Sequence, residues 1–195
     1  VDLVIHGEDV LVDSGRYTYG GCDERYRLKE AEAHNVTLVD GRGFSECTDS
    51  WTYRNLCTCA KQQFFDGKKA AFVEGTHFGF WVRDVIVNRK IVWIKPDIYI
   101  IVDRFLAHWE HTYDSLLHFS GHGSAELLEN GMIRFTGDEM EAYIQFLGAE
   151  EEGRIEETEQ SSFYNEKHPN QTYIGRLQGT ENCGKITVIN GGEKG

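Results

Sequence analysis

No apolar run in this chain approaches the roughly 20 residues that a membrane-spanning helix requires. No charged-then-apolar stretch of the signal-peptide kind opens it. A membrane partner is therefore not expected. Positive charge is scarce as well: 20 Lys and Arg stand against 32 Asp and Glu, a formal net charge of −12. Nonspecific nucleic-acid binding, which depends on neutralising phosphates, is disfavoured by that balance. The five cysteines, Cys22, Cys47, Cys57, Cys59 and Cys183, include no Cys-x-x-Cys pair. Neither a zinc knuckle nor a full disulfide framework is indicated, and free thiols in a reducing compartment are expected, which favours a cytoplasmic over a secreted setting. There is no Gly-x-Ser-x-Gly elbow, no phosphate-cradling loop ending in Gly-Lys-Ser/Thr and no His-Glu-x-x-His helix. Hydrolase, nucleotide-binding and metalloprotease readings are left without support. Internal repeats, low-complexity segments and long amphipathic helices are also missing.

What the chain has is alternation. With 195 residues, 40% of them hydrophobic and 12% aromatic, it is long enough to bury a substantial core. Leu3 and Ile5, then Val10 and Val12, alternate as half-buried strands do, with a polar turn between them. The opening residue is Val1, in a strand already under way, and a preceding segment is expected. Tyr17 and Tyr19 share one face at strand spacing. Residues 23–33 favour helix but lack an apolar stripe, so a loop with at most one turn of helix is expected. A strand follows at 35–39, and 45–58 reads as irregular, with Trp51 and Tyr53 buried beneath it. Further strands are expected at 70–74, 82–87, 90–94, 98–105, 112–119, 132–136, 142–147 and 185–189, with a possible hairpin from 161–164 and 171–178. The dense apolar run 91–101 suggests cover on both faces. These strands, with turn residues between them, predict an all-β fold, an antiparallel two-sheet β-sandwich forming a single domain over 1–195. The acidic stretch 148–160 reads as a loop and 191–195 as a frayed tail.

Two residues stand out as potential metal ligands, Asp13 and His34, each at the edge of a β-type run. A carboxylate and an imidazole suit Zn²⁺, which takes three protein ligands in a semi-open site. Both residue types are also ordinary at turns and strand starts. Between them lie Arg16, Arg25, Arg27 and Lys29, a local excess of positive charge within an acidic chain. Arg83 and Arg89 could meet a sugar carboxylate bidentately. His77 reads as a turn residue, and His108, His111 and His118 as packing or hydrogen-bonding histidines; His118 with His122 is a weaker metal alternative.

The blocks VLVDSGRYTYG, RYRLKEAEAHNVTLVDG, GTHFGFWVRDVIVNRKIVWIKPDIYIIVDRF and HTYDSLLHFSG, in this order and spacing, resemble the β-sheet domain of the heparinase II/III-like polysaccharide lyases. The resemblance covers about two thirds of the chain. It implies an α/α toroid upstream, a cleft between toroid and sandwich, and β-elimination on uronate-containing acidic polysaccharides of heparin/heparan or alginate type. It implies that Asp13 and His34 are two of three ligands of a structural zinc, the third lying before Val1. The family's catalytic residues have no counterpart in this chain, so no catalytic residue is assigned. Arg16, Tyr17, Tyr19 and Arg83 are the candidate substrate-binding residues, and the segment alone is expected to be inactive. The alternative is a non-catalytic carbohydrate-binding or scaffold domain with Tyr17, Tyr19, Trp51 and Trp81 as sugar platforms.

Overall fold

A computed structural model of the chain describes residues 1–148 and 152–194, leaving aside the side chains of Lys61 and Gln62. In chain order its strands are β1 (Leu3–Ile5), β2 (Glu8–Leu11), β3 (Thr37–Val39), β4 (Glu46–Cys47), β5 (Tyr53–Arg54), β6 (Cys59–Asp66), β7 (Ala70–His77), β8 (Ile86–Ile94), β9 (Ile98–Leu106), β10 (His111–Phe119), β11 (Ser124–Leu127), β12 (Ile133–Thr136), β13 (Met140–Gly148), β14 (Glu152–Gln160), β15 (His168–Gly179) and β16 (Cys183–Glu193). One short helix, α1 (Asp23–Arg27), and single 3-10 turns at Ala31–Ala33 and Trp81–Arg83 complete it.

Among the described residues the strands form two large antiparallel sheets and one small hairpin. A six-stranded sheet runs β1-β2-β10-β15-β14, with β3 also on β10; an eight-stranded sheet runs β11-β12-β13-β16-β9-β8-β7-β6; β4 and β5 pair alone. The two-sheet all-β sandwich is thus present, and its inner faces explain the alternation. Leu117, Phe119 and Tyr173 of the first sheet meet Ile133, Phe135, Ile144 and Ile189 of the second in one buried cluster. Aromatic pairs cross the gap: Phe105 on Tyr113 at 4.0 Å between centroids, Phe146 on Tyr173 at 4.7 Å and Phe119 on Phe135 at 5.7 Å. Each ring at such a contact adds to the area already removed from water.

Several expectations are corrected. The acidic stretch is strand where it is described: β14 pairs with β15 from Glu152↔Arg176 to Gln160↔His168, and 149–151 lie outside the described residues. Its glutamates sit on the outermost strand of the sheet, where exposed charge is tolerated and blunts edge-to-edge pairing. The tail is also more ordered than expected, because β16 continues to Glu193 on β13, with Met140↔Glu193 as the last pair; Gly195 lies outside the described residues. The expected strand at 82–87 begins with the 3-10 turn Trp81–Arg83, closed by Asp84 in a left-handed conformation at φ 62°. Strand β6 was not foreseen. The run 91–101 is not covered on both faces, since Ile94 and Ile98 stay exposed. Trp51 and Tyr53 are exposed rather than buried. The five cysteines are free thiols.

The segment after β2 leaves the first sheet, folds over the outer side of β10 and returns as β3. Leu38 and Ala31 pack there on Leu116. Asn35 braces this crossing from a nearly inaccessible position: its Nδ2 donates to the carbonyls of Val1 (2.6 Å) and Val12 (2.9 Å), and its Oδ1 accepts the His118 N–H (2.7 Å). Through this brace β2 and the start of β3 are fixed relative to one another, and so are the residues just beyond them.

Candidate functional site

Asp13 follows β2 and His34 precedes β3, and the Asn35 brace brings them together. His34 Nδ1 lies 2.6 Å from Asp13 Oδ2, while Asp13 Oδ1 accepts the Gly15 N–H at 2.9 Å. Burial acts to raise the Asp13 carboxyl, but the His34 hydrogen bond, the Gly15 N–H and the charge on His34 outweigh it and hold the group below its ordinary value. The two residues singled out in the sequence are therefore in contact across 21 positions. Among the described residues no group of three or more His, Cys, Asp or Glu is placed to hold a metal ion.

Gly15 continues the turn with φ +78° and bridges to Ser161. A Cβ at Gly15 would fall 2.0 Å from the Ser161 carbonyl oxygen, so only glycine allows this approach. Gly15→Ala combines a left-handed L-residue with a backbone overlap. It is expected to destabilise the fold by about 2 kcal/mol and to separate the two segments, read by chemical denaturation and by loss of the Ser161 amide protection from hydrogen exchange.

This bridge closes a groove of about 460 Å³, lined on one side by Asp13, Arg16, Tyr17 and Tyr19 and on the other by Phe163 and Tyr164. Arg16 donates to the Tyr19 hydroxyl, and its guanidinium carbon lies 4.8 Å from that ring's centroid. Among the described residues Arg16 has no carboxylate partner, although the chain carries a large acidic excess. Tyr17 has φ +61°, a region L-residues rarely enter, of the kind often found where a site constrains the chain. Its carbonyl accepts the Asn165 N–H at 2.7 Å, which locks it to the segment after β14. Thr18 Oγ1 donates to the Tyr164 hydroxyl at 3.2 Å across 146 positions.

Arg83 does not join this groove. It lies on the 3-10 turn, 3.7 Å from Asp40, and faces a separate depression with Glu30 and Phe44. Arg89 is half-buried and turned toward the sheet: Nε and Nη2 grip both Asp103 oxygens at 2.6 and 2.9 Å, and Nη1 donates to the Asn35 carbonyl at 2.7 Å. Trp81 is exposed at another groove, beside Asp84 and His108. His108 contacts Asp84 at 2.8 Å and His111 contacts Asp40 at 2.9 Å, hydrogen-bonding roles as expected. His77 ends β7, with its ring nitrogen accepting the Gly79 N–H. His118 is buried, its Nδ1 near the hydroxyls of Thr172 (2.8 Å) and Ser14 (3.2 Å). Sequence reasoning missed the second wall, Ser161 to Tyr164, because nothing local links it to Asp13; the only hint was the aromatic pair Phe163-Tyr164 in a polar stretch.

Residues 1–189 match the family described as "Heparinase II/III-like, C-terminal". Solved structures share the architecture. A heparinase III gene product with methylated lysines superposes with a TM-score of 0.81 at 15% identity, over 99% of this chain and 29% of its own. The heparan sulfate lyase HepC from Pedobacter heparinus gives 0.80 at 15% identity, over 100% of this chain and 30% of its own. The chain spans less than a third of the length of either. No curated protein matches the sequence.

Proposed function

We propose, from the premise that this chain belongs to the heparinase II/III-like C-terminal family, that it is the sandwich part of a lyase cleaving uronate-containing acidic polysaccharides by β-elimination. The solved structures of this shape are called heparinase III or heparan sulfate lyase, which directs the substrate class toward heparin and heparan. The observation that carries the reading is Arg16: an exposed cation without a carboxylate partner among the described residues, held on the Tyr19 ring in a groove shared with Tyr17. In an acidic chain such a group is suited to an anionic ligand, because its charge is not already neutralised by a neighbour.

In β-elimination a base removes the proton alpha to the uronate carboxyl and an acid protonates the leaving glycosidic oxygen. Negative charge builds on the carboxylate as the proton leaves, and a fixed cation beside it stabilises that charge. Arg16 fills this role, with Tyr17 and Tyr19 orienting the sugar. The base and acid would come from an α/α toroid preceding this segment, with the groove as one wall of the cleft, so the segment alone is inactive.

The donor types at Asp13 and His34, one carboxylate oxygen and one imidazole nitrogen, suit zinc, and the 2.6 Å hydrogen bond that joins them would open to about 3.3 Å to admit the ion. A third donor would come from residues before Val1, whose carbonyl is held by Asn35 beside His34. The ion would pin the Asp13 turn to the start of β3 and thereby hold Arg16 and Tyr17 in place. Arg83 takes no part in this reading.

The test joins this segment to its preceding toroid and follows the ultraviolet absorbance of the unsaturated sugar on heparan, heparin and alginate. Absorbance growth on a uronate polymer is expected, and none on any of them would sink the reading. Arg16→Met should lower kcat/KM about tenfold or more, with part of the loss in kcat, because the guanidinium meets charge that builds as the proton leaves. A second reading, a non-catalytic carbohydrate-binding domain, is favoured by the exposed aromatics Trp51, Phe163 and Tyr164. Saturable glycan-array binding without elimination by the joined protein would select it.

A further inference from the structure

Trp51 stands in solvent, 68% exposed, yet the backbone around it is held by several hydrogen bonds. The Asp49 carboxylate accepts the N–H groups of Trp51 (2.7 Å) and Thr52 (2.9 Å) together with the Thr52 hydroxyl. The Thr48 and Thr52 hydroxyls meet at 2.6 Å. From beneath, Lys29 Nζ donates to the Asp49 carbonyl at 2.7 Å and Arg25 Nη2 to the Ser50 carbonyl at 2.8 Å. Both cations are buried, 7% and 8% exposed; among the described residues neither forms an ion pair at contact distance, and the Asp49 carboxylate acts on Lys29 only through space. Burying two charges on neutral carbonyls is costly. What this arrangement achieves is to fix the tip between β4 and β5, and the tip's outward side chain is an indole.

That indole lies parallel to the Tyr19 ring, 5.5 Å between centroids and 4° between planes, and Tyr164 stands 5.8 Å from Tyr19 on a 31° tilt. Tyr19 is the ring that carries Arg16. The aromatic row is therefore continuous with the groove, one ring farther out. An immobilised, exposed, flat apolar surface one ring out from a cation combines what is needed to hold two adjoining sugars of an acidic chain: the C–H face of one pyranose on the indole and the anion of its neighbour on the guanidinium. Because the tip is already ordered, binding there forfeits little conformational entropy.

We propose that Trp51, backed by Tyr19, is a stacking shelf for a pyranose ring one position along the acidic chain from the sugar that meets Arg16. The shelf rests on the lyase reading for its ligand class. It implies that affinity depends on oligosaccharide length.

The test uses the toroid-joined protein with a heparan-derived tetrasaccharide and disaccharide. Trp51→Ala should raise KM for the tetrasaccharide about tenfold and for the disaccharide less than twofold, the scale of losing one aromatic anchor. Trp51→Phe, which keeps a ring, should stay within about threefold of the parent. Trp109→Ala, equally exposed on the β9–β10 turn, should behave as the parent does. Equal KM values for Trp51→Ala and parent on the tetrasaccharide would overturn the shelf and leave the lyase reading standing. If the parent shows no elimination, the lyase reading fails, and calorimetric titration with the same uncleaved tetrasaccharide reads the shelf directly. Binding weakened about tenfold by Trp51→Ala supports the shelf, and binding unaltered or absent overturns it.

Discussion

Arg89→Met is expected to lower the unfolding free energy by about 3–5 kcal/mol, the cost of leaving a buried charge without its partner. Asp103 is only 2% exposed and takes both of its short contacts from this guanidinium, at 2.6 and 2.9 Å. Burial would lower the arginine's pKa, and the Asp103 charge and hydrogen bonds more than reverse this, so the guanidinium stays charged in the fold. The same side chain supports the Asn35 carbonyl, and Asn35 in turn joins Val12 to His118. The substitution should therefore loosen the contact between Asp13 and His34 as well as the sandwich. Two measurements check it: the midpoint of urea unfolding, and the exchange protection of the His118 amide. A fall below about 1 kcal/mol would show that Asp103 is rescued by another group and that the pair is not central to stability. Because small domains are stable by only about 5–15 kcal/mol, the expected loss is a large part of the whole.

Acid should remove a comparable amount through His118. This ring is 3% exposed, and burial is the main cause that brings its pKa from 6.5 down to about 4. The carbonyls of Glu32 and His34 and the charge on Asp13 oppose the shift, while the charge on His34 adds to it. Between those two values the unfolded chain binds a proton that the folded chain refuses, so stability rises with pH there. The contribution is complete above 6.5, falls as the pH drops and is gone below about 4. At 1.36 kcal/mol per unit the gap is worth about 3 kcal/mol. His77, also lowered chiefly by burial, acts in the same direction. Asp13, held below its ordinary value, loses its contribution only at more acid pH, so the windows separate. Unfolding free energies measured at intervals from pH 7 to pH 4 should fall steadily. In His118→Gln that slope should flatten by close to one proton, whatever the variant's absolute stability. An unchanged slope would show that His118 ionises in the fold without penalty.

The inner residues of β9, β10, β13 and β16 were legible because their alternation is a local property. Leu117 and Phe119 on β10, and Ala142, Ile144 and Phe146 on β13, recur at every second position, and a strand is the element that puts residues of that spacing on one face. The contact of Asp13 with His34 was legible through the resemblance of the blocks around them. Strand β14 was not, because its glutamates imitate loop composition, and only its neighbour β15 supplies the ladder that makes it a strand. Trp51 was misread as buried for a similar reason: an indole predicts burial by its apolar area, and nothing in the local sequence reports that Lys29 and Arg25 hold its loop in solvent.

The chain's own pattern of residues determined that it would be an antiparallel sandwich and which side chains would face inward, because side-chain direction alternates with each residue whatever the strand's neighbours. Tertiary structure alone decided that Arg16 and Tyr17 would face Tyr164, that Arg83 would stand apart and that Arg89 would turn inward. Those outcomes depend on which strands pair and on how the crossing segment is braced, and contacts made by strand pairing and chain crossing leave no mark on the local spacing of either partner.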